Sequence, residues 1–402
     1  MELIDNNIAK SQLKETEVGL LPTDWEVNQL SHYFSYISYG FTNPMPTVSD
    51  GVFMITANDI KNGKINYETA RNTSDEAYNN FISDKSRPKV NDILLTKDGT
   101  LGRLAVVDEV KICINQSVAV IRPNGKVDPT FLKILLESSH YQRTMIENAG
   151  GSTIKHIYIT IVDKMKIGVP PTIEEQKAIA STLSDTDALI AGLKKLIAKK
   201  KAIKQGAMQQ LLTPPHKGGK RLPGFSGDWE KYKFDFLFQK VSSKEHQISS
   251  AEYNSTGKYP VVDQGQKYVV GYTEISEKVF TVPKNGIIVF GDHTREIKFV
   301  EFDFVVGADG TQLLLAKEMA LTKFLYYLLL MKEIPNTGYN RHFKFLKEFD
   351  LEIPKLEEQL SITSILSDMD KEIEALESKK AKYEQLKQGM MQELLTGKTR
   401  LL

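Results

Sequence analysis

The strongest constraint on this chain is a segment it contains twice. Residues 171–213, PTIEEQKAIASTLSDTDALIAGLKKLIAKKKAIKQGAMQQLLT, align without a gap on residues 354–396, PKLEEQLSITSILSDMDKEIEALESKKAKYEQLKQGMMQELLT. About half of the positions are identical. A repeat of this length means that one structural unit is built twice, and the rest of the chain must be arranged around the two copies.

Both copies read as long helices. Pro171 and Pro354 stand just ahead of the acidic pairs Glu174/Glu175 and Glu357/Glu358, and proline and negative charge both suit a helix start. Leu183, Ile190 and Ile197 recur at heptad spacing with Leu193 between them, and Leu366, Met369, Ile373 and Leu376 answer in the second copy. This is the spacing of an apolar seam that packs on another helix. A helix lying on the surface of a globular domain is the plainer alternative. At about 1.5 Å per residue, roughly forty residues make a rod of roughly 60 Å. Gly206 and Gly389 interrupt the copies at the same place, each at a cost of about 1 kcal/mol relative to alanine. A matched cost predicts a close approach or a bend there.

The remaining residues fall into two blocks that open alike, with LPTDWEVNQL at Leu21 and LPGFSGDWEKYKF at Leu222, and these openings hold both tryptophans, Trp25 and Trp229. Each block contains two apolar runs around a polar tip, NDILLTKDGTLGRLAVV from Asn91 and GIIVFGDHTREIKFV from Gly286, which read as β-hairpins. A strand, a short apolar helix and a polar loop follow in each, the loops being GGSTIKHI and GYNRHFKF. The expected organisation is an N-terminal arm (1–19), a first globular block (20–170), a first spacer helix (171–213) and a Pro/Gly-rich linker (214–221). A second block (222–353), a second spacer helix (354–396) and a tail (397–402) complete it. The expected fold class is α+β: two mixed α/β blocks separated by two long helices, with a pseudo-twofold internal repeat.

Composition narrows the functional classes. A net charge of +1 argues against a wholly basic nucleic-acid binder, so any such surface must be a local patch. The longest apolar run, FLYYLLLM from Phe324, is far too short to span a bilayer, and MELIDNNIAK lacks the apolar core of a signal peptide. The single cysteine, Cys113, fits a reducing cytoplasm and sits in an alternating apolar run, which predicts a buried strand residue.

Catalytic patterns are weak throughout. LLTGKT near the C-terminus hints at a phosphate loop, but Gln392 stands where its first glycine is required. Pro170-Pro171 and Pro214-Pro215 lack the Asn or Asp that a DNA amino-methyltransferase places before its prolines. No glycine-rich nucleotide turn follows a strand, and the histidines show no zinc spacing. DHTREIK (Asp292–Lys298) has the outline of a metal-dependent nuclease core through Asp292, Glu296 and Lys298, but all three lie on one hairpin.

The order of parts, the EEQ helix starts, the LSDxD step and the KQGxMQxLLT exits resemble the specificity subunit of type I restriction–modification systems. The resemblance runs over nearly the whole chain, strongly in the helices and in outline in the blocks. It implies two target recognition domains, each reading half of a split double-stranded DNA sequence, on two long spacer helices packed antiparallel as a coiled coil. It implies docking of two methyltransferase (M) subunits, joined by restriction (R) subunits. It implies no cofactor in this chain, with S-adenosylmethionine on the methyltransferase subunits and ATP and Mg on the restriction subunits. The repeat then has a purpose, one copy for each methyltransferase and each half-site. On this reading the chain is a non-catalytic, cytoplasmic DNA-recognition scaffold. Two other readings stay open: a coiled-coil adaptor whose blocks bind protein, and the nuclease.

Base reading needs donors and acceptors on loops that enter a groove, Arg or Lys for guanine and Asn or Gln for adenine, while phosphate contacts position the protein. In the first block the candidates are Lys97, Thr100 and Arg103 at the hairpin, Gln116, and Ser152, Thr153 and Lys155 in the polar loop. In the second they are His293, Thr294 and Arg295, Gln312, and Asn340, Arg341, His342 and Lys344. The lysine run KKLIAKKKAIK (Lys194–Lys204) reads as a solvated helix face, with a phosphate track or a partner surface as alternatives.

Overall fold

A computed structural model of the chain describes residues 12–108, 111–151, 155–307, 309–338 and 340–401. The two copies of the repeat form unbroken helices, Ile173–Leu211 and Leu356–Leu394. The chain divides into two compact units, Met1–Gly192 with Lys380–Leu402, and Leu193–Lys379. Each unit therefore holds one globular block, the start of one long helix and the end of the other.

In the first unit a four-stranded sheet has the order Leu104–Val106, Ile93–Thr96, Val118–Pro123, Phe34–Tyr39, all pairs antiparallel. Ile93, Leu94, Leu95 and Thr96 are all buried, which is why this stretch reads as a continuous apolar run rather than an alternating one. Its hairpin turn uses Gly99 (φ +76°) and Gly102 (φ +78°), conformations a side chain disfavours. A second sheet pairs Ile112–Ile114 in parallel with Val52–Ile55, and Cys113 lies buried in it. Burial pushes its thiol up to about 12.

The second unit repeats this topology with other residues. Its sheet runs Phe238–Val241, Thr311–Ala316, Ile287–Gly291, Ile297–Val300, and a second sheet pairs Tyr259–Val262 in parallel with Phe304–Val306. In both units the opening segment is sewn to the last strand before the long helix. Glu26–Gln29 pairs with Lys166–Val169, and Glu230–Lys233 pairs with Asp350–Ile353. The tryptophans just before these opening strands, Trp25 and Trp229, are buried in the two cores.

The helix ends lock onto their units in matched ways. Gln176 accepts a hydrogen bond from Asp128 N (2.8 Å) and donates to the Pro170 carbonyl (3.1 Å). Gln359 accepts from Leu321 N (2.9 Å) and donates to the Pro354 carbonyl (2.8 Å). Glu175 is held by Arg400, and Glu358 by Arg221. In the first unit Glu175 meets Arg400 and Asp187 meets Lys387 (2.7 Å), and in the second Lys200 meets Glu372 and Lys204 meets Asp370, so the paired segments in each unit run antiparallel.

Two expectations need correction. Leu183 and Leu366 do not serve only a helix–helix seam, because each is fully buried in its unit's globular core. A Cβ built on Gly206 or Gly389 meets nothing within 4 Å, so no close approach within the chain explains the glycines, and both helices continue through these positions. In the lysine run Lys200, Lys201 and Lys204 pair with Glu372, Glu377 and Asp370 across the helices, while Lys195 and Lys199 are exposed.

Candidate DNA interface

In each unit the hairpin tip, the turn before the third sheet strand and the polar loop meet at one corner. In the first unit the loop is closed at its base, where Gly150 and His156 exchange backbone hydrogen bonds of 3.0 and 2.8 Å. It docks on the hairpin through Ile157 N to the Lys97 carbonyl (2.9 Å) and through His156 Nδ1 to Asp98 Oδ1 (2.6 Å). Lys97 is drawn inward, with its ammonium 2.8 Å from Asp98 and 5.4 Å from the Tyr39 ring centroid. Arg103 donates to the Ile60 carbonyl (3.2 Å). Thr100, Gln116 and Lys155 are exposed. Ser152 and Thr153 lie outside the described residues. Beside the tip opens a cleft of about 780 Å³ whose lining includes Asn43, Asn58, Arg71, Thr100 and Gln116.

In the second unit the corner centres on Asp292, which is buried. Its carboxylate accepts from Phe343 N (2.7 Å) and from Gln312 Nε2 (3.4 Å), and its carbonyl accepts from His342 N (2.7 Å). His342 is wholly buried; Nδ1 lies 2.9 Å from the Asp292 carbonyl and Nε2 lies 3.3 Å from Thr337 Oγ1. It supports the loop and cannot reach a base. Asn340 ties back to the Thr337 carbonyl through its side-chain amide. Arg341 and Lys344 are exposed, Lys344 lying 5.0 Å from the Phe345 ring centroid. At the hairpin tip Arg295 takes a left-handed conformation (φ +67°) and donates to the Ile334 carbonyl. Gln264 fills the space beside the tip. It accepts from His293 N (3.1 Å), donates to the Asp309 carbonyl (2.8 Å), and its own carbonyl accepts from Thr294 Oγ1.

The same geometry removes the nuclease reading. The Asp292 carboxylate is committed to Phe343 and Gln312. Lys298 is buried and donates to the Asp263 (2.8 Å) and Lys267 (2.5 Å) carbonyls, and burial lowers its pKa. Among the described residues no group of three or more His, Cys, Asp or Glu could hold a metal ion. No helix among them is long and apolar enough to cross a membrane.

Asn43 and Gln264 escaped sequence reasoning because they sit in irregular segments, and Asn58 and Arg71 because their elements, Ala57–Asp59 and Arg71–Thr73, are too short to show a period. The pairing of Asp98 with His156 joins residues far apart in the chain, and only the fold brings them together.

Two globular units of one topology, each presenting a polar loop braced on a hairpin tip, define a duplicated recognition protein. The family model for the type I restriction modification DNA specificity domain matches the chain twice, over residues 47–204 and 226–387. The chain belongs to that family: it is a specificity subunit with two target recognition domains, which recognises DNA and is non-catalytic. This sets aside the reading of a protein-binding adaptor. The chain is 27% identical to the protein named as the specificity subunit of type I restriction enzyme MjaX from Methanocaldococcus jannaschii, over 98% of this chain and 97% of that one. It is 24% identical to the MjaVIII specificity subunit of the same organism, over 100% and 99%. Its fold is similar to the crystal structure of a type I restriction–modification S subunit from M. genitalium, with a TM-score of 0.64 at 17% identity, covering 92% of this chain and 96% of that one.

Proposed function

We propose that each recognition domain reads one half of a bipartite duplex sequence through the corner formed by its hairpin tip and polar loop. Thr100, Gln116 and Lys155 lead in the first domain, and Arg341 and Lys344 in the second, while Thr294 and Asn340 brace the second corner through the Gln264 and Thr337 carbonyls. Lys97, Arg103, Arg295 and Gln312 act mainly as supports, because their side chains are already committed to protein partners. The long helices dock two methyltransferase subunits, restriction subunits join that assembly, and the complex works in the cytoplasm. One observation carries this reading: the same corner is built twice on one topology, while the residues at its tips differ. Duplicated scaffolding with unlike tips is what reading two unlike half-sites requires.

The experiment is an exchange of residues 222–353 for the equivalent block of a relative, followed by mapping of methylated bases across the host genome. One half of the methylated motif is expected to change and the other to persist. A change in both halves, or in neither, overturns the assignment. Within the second domain, Arg341→Ala is expected to cost about 1–3 kcal/mol of binding and relax a single base pair if its contact is bidentate to a base. Uniform weakening on all sequences would make it a phosphate contact.

A further inference from the structure

The two polar loops share no sequence pattern, yet each is fastened by a histidine to an aspartate at the end of the hairpin's first strand. In the first unit Asp98 and His156 lie 58 residues apart in the chain and meet through carboxylate and Nδ1 at 2.6 Å. In the second, Asp292 and His342 lie 50 residues apart and meet through the Asp292 carbonyl and Nδ1 at 2.9 Å. Different spacing and different acceptor atoms reach one arrangement. In both, Nδ1 carries the proton, because a carboxylate or a carbonyl can only accept. In the second unit this leaves Nε2 to accept from Thr337 Oγ1, which closes the base of the loop. In the first the base is closed by the backbone pair between Gly150 and His156. Each histidine thus sits where loop base and hairpin tip join.

We propose that His156 and His342 are positioning residues for base reading. They fix the described loop residues beside each clasp before DNA arrives, so that ordering those residues does not weaken binding at that step. The inference rests on the reading of these loops as DNA-contacting segments. Neither histidine touches a base; each acts through the residues it holds, Lys155 beside one clasp and Asn340 and Arg341 beside the other. Asp98 and Asp292 are the fixed side of each clasp. Asp98 is itself gripped by Lys97, and Asp292 is buried against Phe343 N.

The test uses the full-length chain assembled with its methyltransferase partner and reads the methylated motif genome-wide. His156→Ala is expected to lower discrimination in the first half-site by about tenfold, the weight of a single base contact, while the second half is still read. His342→Ala is expected to do the converse. The untouched half reports that the molecule is folded. His156→Asn keeps an N–H donor near the Nδ1 position and is expected to restore reading, which a merely space-filling role would not predict. Alanine variants that read both halves unchanged, that lose both together, or that match the asparagine variant overturn the proposal. Lys155→Ala and Arg341→Ala separate the two levels. If they impair reading and the histidine variants do not, the clasp fails while the interface stands. If they have no effect, the interface assignment fails and the clasp falls with it.

Discussion

Glu175 and Glu358 look interchangeable in the sequence, and both are buried. Their partners differ. Arg400 holds Glu175 and also pairs with Asp24 at 3.0 Å, whereas Arg221 pairs with Glu358 at 2.7 Å and otherwise reaches the Gly227 carbonyl. Removing one side of a buried pair strands the other charge, at about 3–5 kcal/mol, less where the survivor reaches water. Glu358→Ala is therefore expected to cost about 2–4 kcal/mol, and Glu175→Ala roughly half as much because Arg400 retains Asp24. Chemical denaturation of the two variants decides it; equal losses would mean that Asp24 contributes nothing. Cys113 gives a second residue-level expectation. Its burial and raised pKa keep it from forming thiolate, so a thiol reagent should label it only after unfolding. Rapid labelling of the native chain would contradict the placement of this strand.

At the scale of elements, the long helices are bound by matched polar rungs as well as by apolar residues. Asp187–Lys387 and Lys204–Asp370 occupy equivalent positions of the repeat. In the second unit the rung extends into the domain, where the Tyr327 hydroxyl donates to Asp370 at 2.6 Å, and burial raises the pKa of that tyrosine strongly. The glycines behave differently from the rungs. Gly206 and Gly389 have open space where a Cβ would sit. Alanine at either position is expected to stabilise the chain by about 0.5–1 kcal/mol, seen as a higher denaturation midpoint. A loss of methyltransferase docking in these variants, with stability raised, would mean that a partner packs against the bare backbone there.

At the scale of the whole chain, the C-terminal segment belongs to the first unit. Leu394 and Leu395 are buried in the same core as Trp25, Leu183 and Ile167, and Arg400 is tied to Asp24 and Glu175. Deleting residues 385–402 is expected to loosen the first unit while leaving the second protected. Each buried leucine lost removes about 2 kcal/mol of apolar burial, before counting the core left open. Hydrogen exchange resolved by peptide would show it as faster exchange in the sheet around Ile93 and Val118. Unchanged protection there would refute the packing described for this core.

Much of the architecture was legible because its signals are local. The helices of the repeat announce themselves through Pro171 and Pro354, acidic first turns and heptad spacing. The hairpins do so through apolar runs around Asp98-Gly99 and around Asp292. These are properties of short-range sterics and side-chain period, which a linear sequence carries in full. The site was only partly legible. That Lys97, Arg103 and Arg295 are tethered, that His342 is buried, and that Leu183 and Leu366 face domain cores all depend on segments brought together across the fold. The Asp98–His156 and Asp292–His342 clasps depend on this as well, as does the assignment of the chain's last residues to its first unit. A pattern of residue types can nominate a donor or an acceptor, but whether that group faces solvent or is already satisfied is settled by its neighbours in space, and tertiary packing alone decides who they are.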